Sequence, residues 1–331
     1  MHIELLDILV CPDCPGNVPL RLAAGEERDG EIEEGRLDCP SCGTTYPISA
    51  GIPRFVSEAE NYGENFAFEW LRWGRVQIDR HAGHRLSTER FLADSRWPAE
   101  WLAGKLLLDA GCGAGRFTDA AASLGARIIA IDLSGAVVAA RHNTRDHGRN
   151  VQVIQASLFR LPLRRQSFDG VFCMGVIQHT PEPERVMSAL PDYAKPGGQL
   201  AYNFYEIDWR TRFQPIKYAL RRLTPHLSHK TNEWLARILT ATFFPLSWLL
   251  SHVRFVRFIN VMLPIAGVHD RQLSVRQQFH WTLLDTFDWY SPRYEIRQAH
   301  TRVAELLRSR GLENVESQPG LAWGVKPLRN A

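Results

Sequence analysis

A three-layer α/β domain with a small metal-stapled ribbon at its N-terminus and a helical insertion is the fold class that the sequence predicts. Three observations lead there. Between Lys105 and Tyr205, short apolar runs (LLLDA, RIIAID, VQVIQA, FDGVFCM, QLAYNFY) alternate with amphipathic stretches, the order expected of βαβ units around a mostly parallel sheet. Two CxxC pairs punctuate the first segment, whose few apolar residues cannot make a core unaided. From Trp209 to about Val268 the alternation is broken by Leu- and Phe-rich sequence in which Lys and Arg far outnumber the acids.

The chain has 331 residues, 45% of them hydrophobic, enough for one small and one large unit. Its formal net charge of +3 carries no overall footprint for nucleic acid or anionic membrane, so any basic surface must be local. Met1 to Val10 contains Glu4 and Asp7 and lacks a basic n-region, so it does not read as a signal peptide. Together with the paired cysteines, this predicts a cytoplasmic, reducing compartment.

The predicted boundaries follow from these shifts in pattern. Residues 1–56 form the ribbon, and 57–104 a helical lead-in or lid, with Tyr62, Phe66, Phe68, Trp70 and Trp73 at partly helical spacing. Residues 105–206 and 291–331 form the main domain, and 207–290 the insertion or cap. In the tail, VAELLRSR predicts a helix stopped by Gly311, followed by strands at Glu313–Ser317 and Ala322–Val325. The most apolar run, Ile238 to Val253, is shorter than a usual membrane span and contains Pro245, so no transmembrane helix is expected.

Cys11-Pro-Asp-Cys14 and Cys39-Pro-Ser-Cys42 each present two thiolates on a tight turn, half of a tetrahedral Zn(II) shell. Two such knuckles close the shell, so the expected zinc is structural, and its binding energy would fold the segment. The competing reading, a pair of redox dithiols, is disfavoured because neither pair sits in a thioredoxin-like βαβ context. LLDILVCPDC and LDCPSCGTTYPISAGIPRF closely resemble the small zinc-ribbon proteins that act as partners of tRNA, rRNA and protein methyltransferases. The resemblance covers residues 1–56 and implies a folding and docking module.

Leu106 to Arg116 reads as a strand entering a glycine turn with a helix after it. A dinucleotide fingerprint wants Gly or Ala where this chain has Arg116, which disfavours NAD. The alternative pattern, acid-x-G-x-G-x-G, is met by Asp109, Gly111, Gly113 and Gly115, and an acid at the strand end suits the ammonium of S-adenosylmethionine. Asp132 closes the second run roughly twenty residues on, where a carboxylate can accept hydrogen bonds from both ribose hydroxyls.

These residues, with RLPLRRQSFDGVFCMGVIQHTPEPERVMSALPDYAKPGGQL, resemble the class I methyltransferases that act on small molecules, in the same motif order. The resemblance implies a Rossmann-like methyltransferase domain that binds S-adenosyl-L-methionine. It puts Asp109, Gly111, Gly113 and Gly115 at the methionine moiety, Asp132 at the ribose, and Ala156, Ser157 and Leu158 at the adenine. Leu133 and Met174 complete the cofactor set. Family members commonly carry Asp where this chain has Ser157, which implies a weaker or backbone-made adenine contact.

For the chemistry, His179 follows the fourth strand at the carboxyl edge of the sheet and is the candidate base; a purely orienting role competes with that reading. Asn203 and Tyr205 end the fifth strand and face the same expected cleft. Gln278 to Tyr290 mixes acids and aromatics, suiting either a polar acceptor or a buried cluster. The basic insertion has three readings: a cap, a membrane-surface segment through 209–268, or a nucleic-acid surface, in that order. It includes Arg210, Arg212, Lys217, Arg221, Arg222, Lys230, Arg237, Arg254 and Arg257.

The expected activity is methyl transfer to O or N of a small organic acceptor, a saccharide or secondary metabolite, including lipid-linked forms. Two alternatives stay open, a tRNA or rRNA methyltransferase and a non-catalytic cofactor-binding partner of another methyltransferase. No Asn-Pro-Pro-Tyr-type motif follows the fourth strand, which counts against the nucleic-acid alternative.

Overall fold

The computed structural model describes residues 1–56, 63–208, 213–253 and 255–328. Tyr62, Trp209, Arg210, Arg212 and Arg254 lie outside the described residues. The ribbon is an antiparallel sheet of β1 (Arg21–Arg28), β2 (Glu31–Asp38), β3 (Thr45–Ser49) and β4 (Ile52–Pro53), paired in that order. The lead-in is helical, with α1 (Glu64–Trp73), α2 (Asp79–Ala82), α3 (Leu86–Ser95) and α4 (Ala99–Leu102).

The main domain then alternates β5 (Leu106–Ala110), α5 (Arg116–Ser123), β6 (Arg127–Asp132), α6 (Val137–Thr144), β7 (Val151–Gln155), β8 (Phe168–Met174), α7 (Pro183–Ala189) and β9 (Ala194–Asn203). Next come the insertion helices α8 (Pro215–Leu220), α9 (His229–Ser251) and α10 (Val275–Tyr290), and the chain returns through α11 (His300–Ser309), β10 (Glu313–Gln318) and β11 (Leu321–Val325). The seven strands of the second sheet run β10-β11-β9-β8-β5-β6-β7, with β5 to β9 parallel, β11 antiparallel to β9, and β10 antiparallel to β11. The order reverses at β5, which pairs with β6 on one side and β8 on the other. Open α/β sheets place their ligands at the carboxyl ends of the strands at such a point.

Every apolar run expected to be a strand is one. Leu107, Leu108, Ile128, Ile131, Val171 and Phe172 are almost fully buried, as continuous apolar runs must be when helices cover both faces. The ribbon, however, is not held by its cysteines alone. Leu5, Leu9, Ile48 and Phe55 share one buried cluster with Ile154, Leu158, Leu161 and Leu163 of the main domain. Leu9 bridges to Leu163 and Arg54 to Gln155, while Arg141 on α6 ion-pairs with Glu31 and Glu33 at 2.8 and 2.5 Å. Fully burying side chains of this size stabilises by about 1.5–3 kcal/mol each, so ribbon and domain support one another.

The insertion departs from expectation in two ways. α9 runs unbroken for 23 residues through Pro245, and by length and composition alone it is long and apolar enough to cross a membrane, although 22% of its apolar window is buried against the rest of the chain. The apolar run expected to fall short of a spanning length is thus part of a longer helix. Lys217 and Arg221 do not belong to a basic surface either. They turn inward to Glu295 at 3.4 and 3.5 Å, where Arg297 also pairs with it at 3.0 Å.

Candidate active site and structural metal centre

The four cysteine thiols converge. Their sulfurs lie within 4.8 Å of one another, with Cys11 to Cys42 and Cys14 to Cys39 both at 3.7 Å. A tetrahedral zinc with Zn–S near 2.3 Å requires sulfur separations of about 3.8 Å, so the donor set fits the ion in number, chemistry and spacing. Tyr46 braces it, with its hydroxyl donating to Asp13 at 2.6 Å and lying 3.2 Å from the Cys11 sulfur. Arg160 of the main domain ion-pairs with the same Asp13.

A cavity of about 240 Å³ opens at the carboxyl ends of β5, β6, β8 and β9. One wall is the loop after β5. Gly111 has φ +96°, and a Cβ there would lie 2.5 Å from Val176, so only glycine fits; a Cβ on Gly113 would meet the Trp70 indole nitrogen at 3.0 Å. Asp132, at the end of β6, accepts hydrogen bonds from the Gly113 amide at 2.9 Å and from the Ser134 amide and hydroxyl at 2.8 and 2.7 Å. Its carboxylate thus fixes the loop and still lines the cavity. Leu133, Leu158 and Met174 line it too, giving an apolar slot beside that carboxylate.

Four residues expected at the cofactor do not line this cavity, Ala156 among them. Asp109 is buried behind the loop, where its carboxylate accepts from the Thr118 hydroxyl at 2.6 Å; it ties β5 to α5 and does not face the cavity. Gly115 caps the start of α5, its amide donates to the Cys112 carbonyl at 2.8 Å, and a Cβ there would meet Thr144 at 3.1 Å and Ala140 at 3.3 Å. The Ser157 hydroxyl turns to the Phe159 amide at 3.3 Å, and Ser157 also lies off the cavity wall. In these last three a local backbone or hydroxyl partner satisfies the group that the motif alone would have aimed at a ligand.

His179 does line the cavity. Its Nδ1 is 3.0 Å from the Tyr294 carbonyl oxygen, which can only accept, so that nitrogen carries a proton and the other, Nε2, is left for chemistry. Phe66 and Tyr205 hold the ring, with centroids at 5.3 and 5.5 Å. Asn203 also faces the cavity and donates to Asp94 at 3.1 Å.

The opposite wall is built by α1, read from the sequence only as a lead-in or lid, and by the stretch Gln278 to Tyr290. On α1, Phe66, Glu69 and Trp70 share one face by their i, i+3, i+4 spacing, and on α10 Asp285, Asp288 and Trp289 do the same, with Leu284 beside them. That spacing was the available signal. Within Gln278 to Tyr290, Trp281, Leu283, Phe287 and Tyr290 are core while Asp285 and Asp288 line the cavity. Glu69 is fully buried with both carboxylate oxygens unpartnered, and burial next to Asp288 and Asp285 pushes its pKa well above the carboxylate range. Arg116, the residue that disfavoured NAD, also lines the cavity. It donates to Ser87 and Gln77 at 2.9 and 3.2 Å, and burial lowers its pKa to about 9.

Burial also pushes Asp109 and Asp285 up to about 7. A carboxyl whose pKa is raised by folding holds its proton more tightly in the folded than in the unfolded chain. It therefore stabilises the fold below the ordinary carboxyl pKa, and that contribution is lost as pH rises to about 7. The cofactor-free protein is expected to melt at a higher temperature near pH 6 than near pH 8, and Asp285→Asn to shrink the difference. Identical pH dependence in thermal melts of both proteins would contradict this assignment.

Comparison with known families agrees with this geometry. Residues 108–202 match the family described as "Methyltransferase domain". Residues 108–202 are a methyltransferase domain. Residues 2–51 match the family described as "Trm112p-like protein", so the ribbon and the methyltransferase domain are two recognisable units of one chain. The methyltransferase domain is 39% identical over 101 residues to the ubiquinone biosynthesis O-methyltransferase of Xanthomonas euvesicatoria pv. vesicatoria, covering 30% of this chain and 42% of that protein. It is 38% identical over 150 residues to the enzyme of the same name from Methylococcus capsulatus, covering 45% and 61%. The chain thus spans about half the length of the curated relatives it matches. Among solved structures, a complex between the Haloferax volcanii Trm112 methyltransferase activator and a methyltransferase aligns with 80% of this chain and 99% of its own, at 16% identity and a TM-score of 0.44.

Proposed function

We propose that the chain is an S-adenosylmethionine-dependent methyltransferase acting on O or N of a small organic acceptor, with a structural zinc in its ribbon. The observation that carries this reading is one continuous cavity that joins the glycine loop and Asp132 to His179, Asn203 and the carboxylates of α1 and α10. The relatives named as O-methyltransferases favour oxygen as the methylated atom.

When bound, S-adenosylmethionine supplies an electrophilic methyl group on a sulfonium. The Gly111–Gly113 backbone would cradle its methionine end, Asp132 would accept from its ribose hydroxyls, and Leu133, Leu158 and Met174 would flank the adenine. The chain's own work lies on the acceptor side. His179, held by the Tyr294 carbonyl, presents Nε2 to take the proton that an acceptor hydroxyl loses. Glu69, Asp285 and Asp288 offer acceptors for hydroxyls or amines, the recognition that a saccharide-like substrate needs, and Phe66, Trp70 and Trp289 exclude water.

The test is to incubate the purified protein with methyl-labelled S-adenosylmethionine and a host-like cell extract, then count label in small-molecule, lipid, RNA and protein fractions. Label in small molecules or lipids supports the reading. Label in RNA favours the nucleic-acid alternative, and cofactor binding without label in any fraction favours the scaffold alternative. With an acceptor in hand, His179→Gln is expected to lower kcat by roughly 10²–10⁴-fold while leaving cofactor affinity unchanged. A kcat within threefold of wild type would leave the histidine with an orienting role only.

A further inference from the structure

The outer face of the insertion concentrates the exposed apolar surface of the chain's described residues. Among the described residues, thirteen of the nineteen large hydrophobic side chains that stand exposed fall between Phe213 and Met262. α9 is inside out. Its inward face, packed against α10, includes Asn232, Glu233, Thr240 and Ser247 beside Ala236 and Phe244, whereas Trp234, Ile238, Leu246 and Leu249 point to solvent. A surface helix of a water-soluble domain shows the opposite arrangement. The exposed apolar row continues past the helix to Phe255, 85% exposed, and Phe258, 67% exposed.

We propose that this face docks on an anionic lipid surface, with α9 lying in the plane of the headgroups and Phe255 and Phe258 reaching below it. The charge of the segment selects the occupant. Between residues 209 and 262 the sequence has nine Lys and Arg and a single acid, Glu233. Two of the nine, Lys217 and Arg221, are spent on Glu295, and Arg237 pairs with Glu233; Arg222, just past α8, and Lys230, in the first turn of α9, stay exposed. Apolar side chains in a segment whose cations so outnumber its acids fit acyl chains beneath anionic headgroups. A second copy of the chain would bring like charges together.

An in-plane helix fits better than a spanning one. The inward face of α9 is fixed to α10, whose other face carries Asp285 and Asp288 into the cavity, and the first turns hold Lys230, Glu233 and Arg237. The start of α9 also meets the lid. Arg72 on α1 pairs with Glu233 at 3.2 Å, and the rings of Phe68 and His229 lie 5.5 Å apart. A membrane under α9 would therefore sit one helix layer from the cavity, suiting an acceptor tethered to lipid.

The experiment is flotation of the full-length protein with vesicles of phosphatidylcholine alone and of equal parts phosphatidylcholine and phosphatidylglycerol. The expected result is co-flotation with the anionic vesicles, at least roughly tenfold weaker binding to the neutral ones, and release by high salt. The double variant Phe255→Ser with Phe258→Ser should lose binding by roughly tenfold with its melting temperature and S-adenosylhomocysteine affinity unchanged. No co-flotation with the anionic vesicles overturns the proposal. So does retention that resists alkaline carbonate, which indicates a spanning helix, or a dimer dissolved by the double variant in a protein that ignores lipid. None of these readouts depends on methyl transfer, so failure here leaves the proposed activity standing.

Discussion

Replacing Cys39 and Cys42 together by serine is expected to strip the ribbon of its metal and to lower the melting temperature of the whole chain by on the order of 10 °C. The metal term is large, because a structural zinc contributes about 10–16 kcal/mol of apparent binding energy that is also folding energy for its segment. What makes the effect global is the shared core. A ribbon that cannot close withdraws Leu5, Leu9, Ile48 and Phe55 from Ile154, Leu161 and Leu163, and exposes the side of β7 that Phe55 and Arg54 cover. Calorimetry beside metal analysis checks this. A single shifted transition is expected. A melting temperature equal to wild type, or wild-type protein purified without chelator that holds far less than one zinc per chain, would remove the metal from the account.

Asp132→Ala is expected to weaken S-adenosylhomocysteine binding by on the order of 10²–10³-fold while changing the melting temperature little. The loss has two parts. The carboxylate now accepts from the Gly113 amide, so alanine frees the loop that must cradle the methionine end. It also removes the acceptor for the ribose hydroxyls, and a hydrogen bond to a charged group contributes about 1.5–3 kcal/mol. Burial already raises the Asp132 pKa, so removing the carboxyl relieves a desolvated charge, which is why stability should hold while affinity falls. Asp132→Asn separates the two parts, since its amide oxygen can still accept from Gly113 although no charge remains for the ribose. Titration calorimetry reads both variants. Affinity within threefold of wild type for the alanine variant would mean that the cofactor lies elsewhere.

The legibility of the candidate site depended on distance along the chain. The glycine loop and Asp132 are read from one strand–turn–helix and the end of the next strand, and each CxxC is a four-residue unit, so spacing alone carried the information. Asp109 shows the limit of such reading. Its place in the motif was plain, but the direction of its carboxylate was decided by Thr118 on the helix that follows. Glu69 and Asp288 lie more than two hundred residues apart, and no local pattern says that α1 and α10 close over the same cavity.

The sequence by itself determined the order of the strands along the chain, the ribbon with its four thiols, the glycine turn and the interruption by basic, apolar helices. It could do so because each rests on short-range periodicity, on backbone conformations open to glycine, or on ligand spacing within a turn. The tertiary structure alone decided that the ribbon shares its core with the methyltransferase domain, that a carboxylate wall faces His179, that Lys217 and Arg221 turn inward to Glu295, and that α9 continues through Pro245 with its apolar side outward. These are long-range facts. They depend on which surfaces meet when the chain closes, and the burial that follows sets which charges are paired and which carboxyls keep their protons.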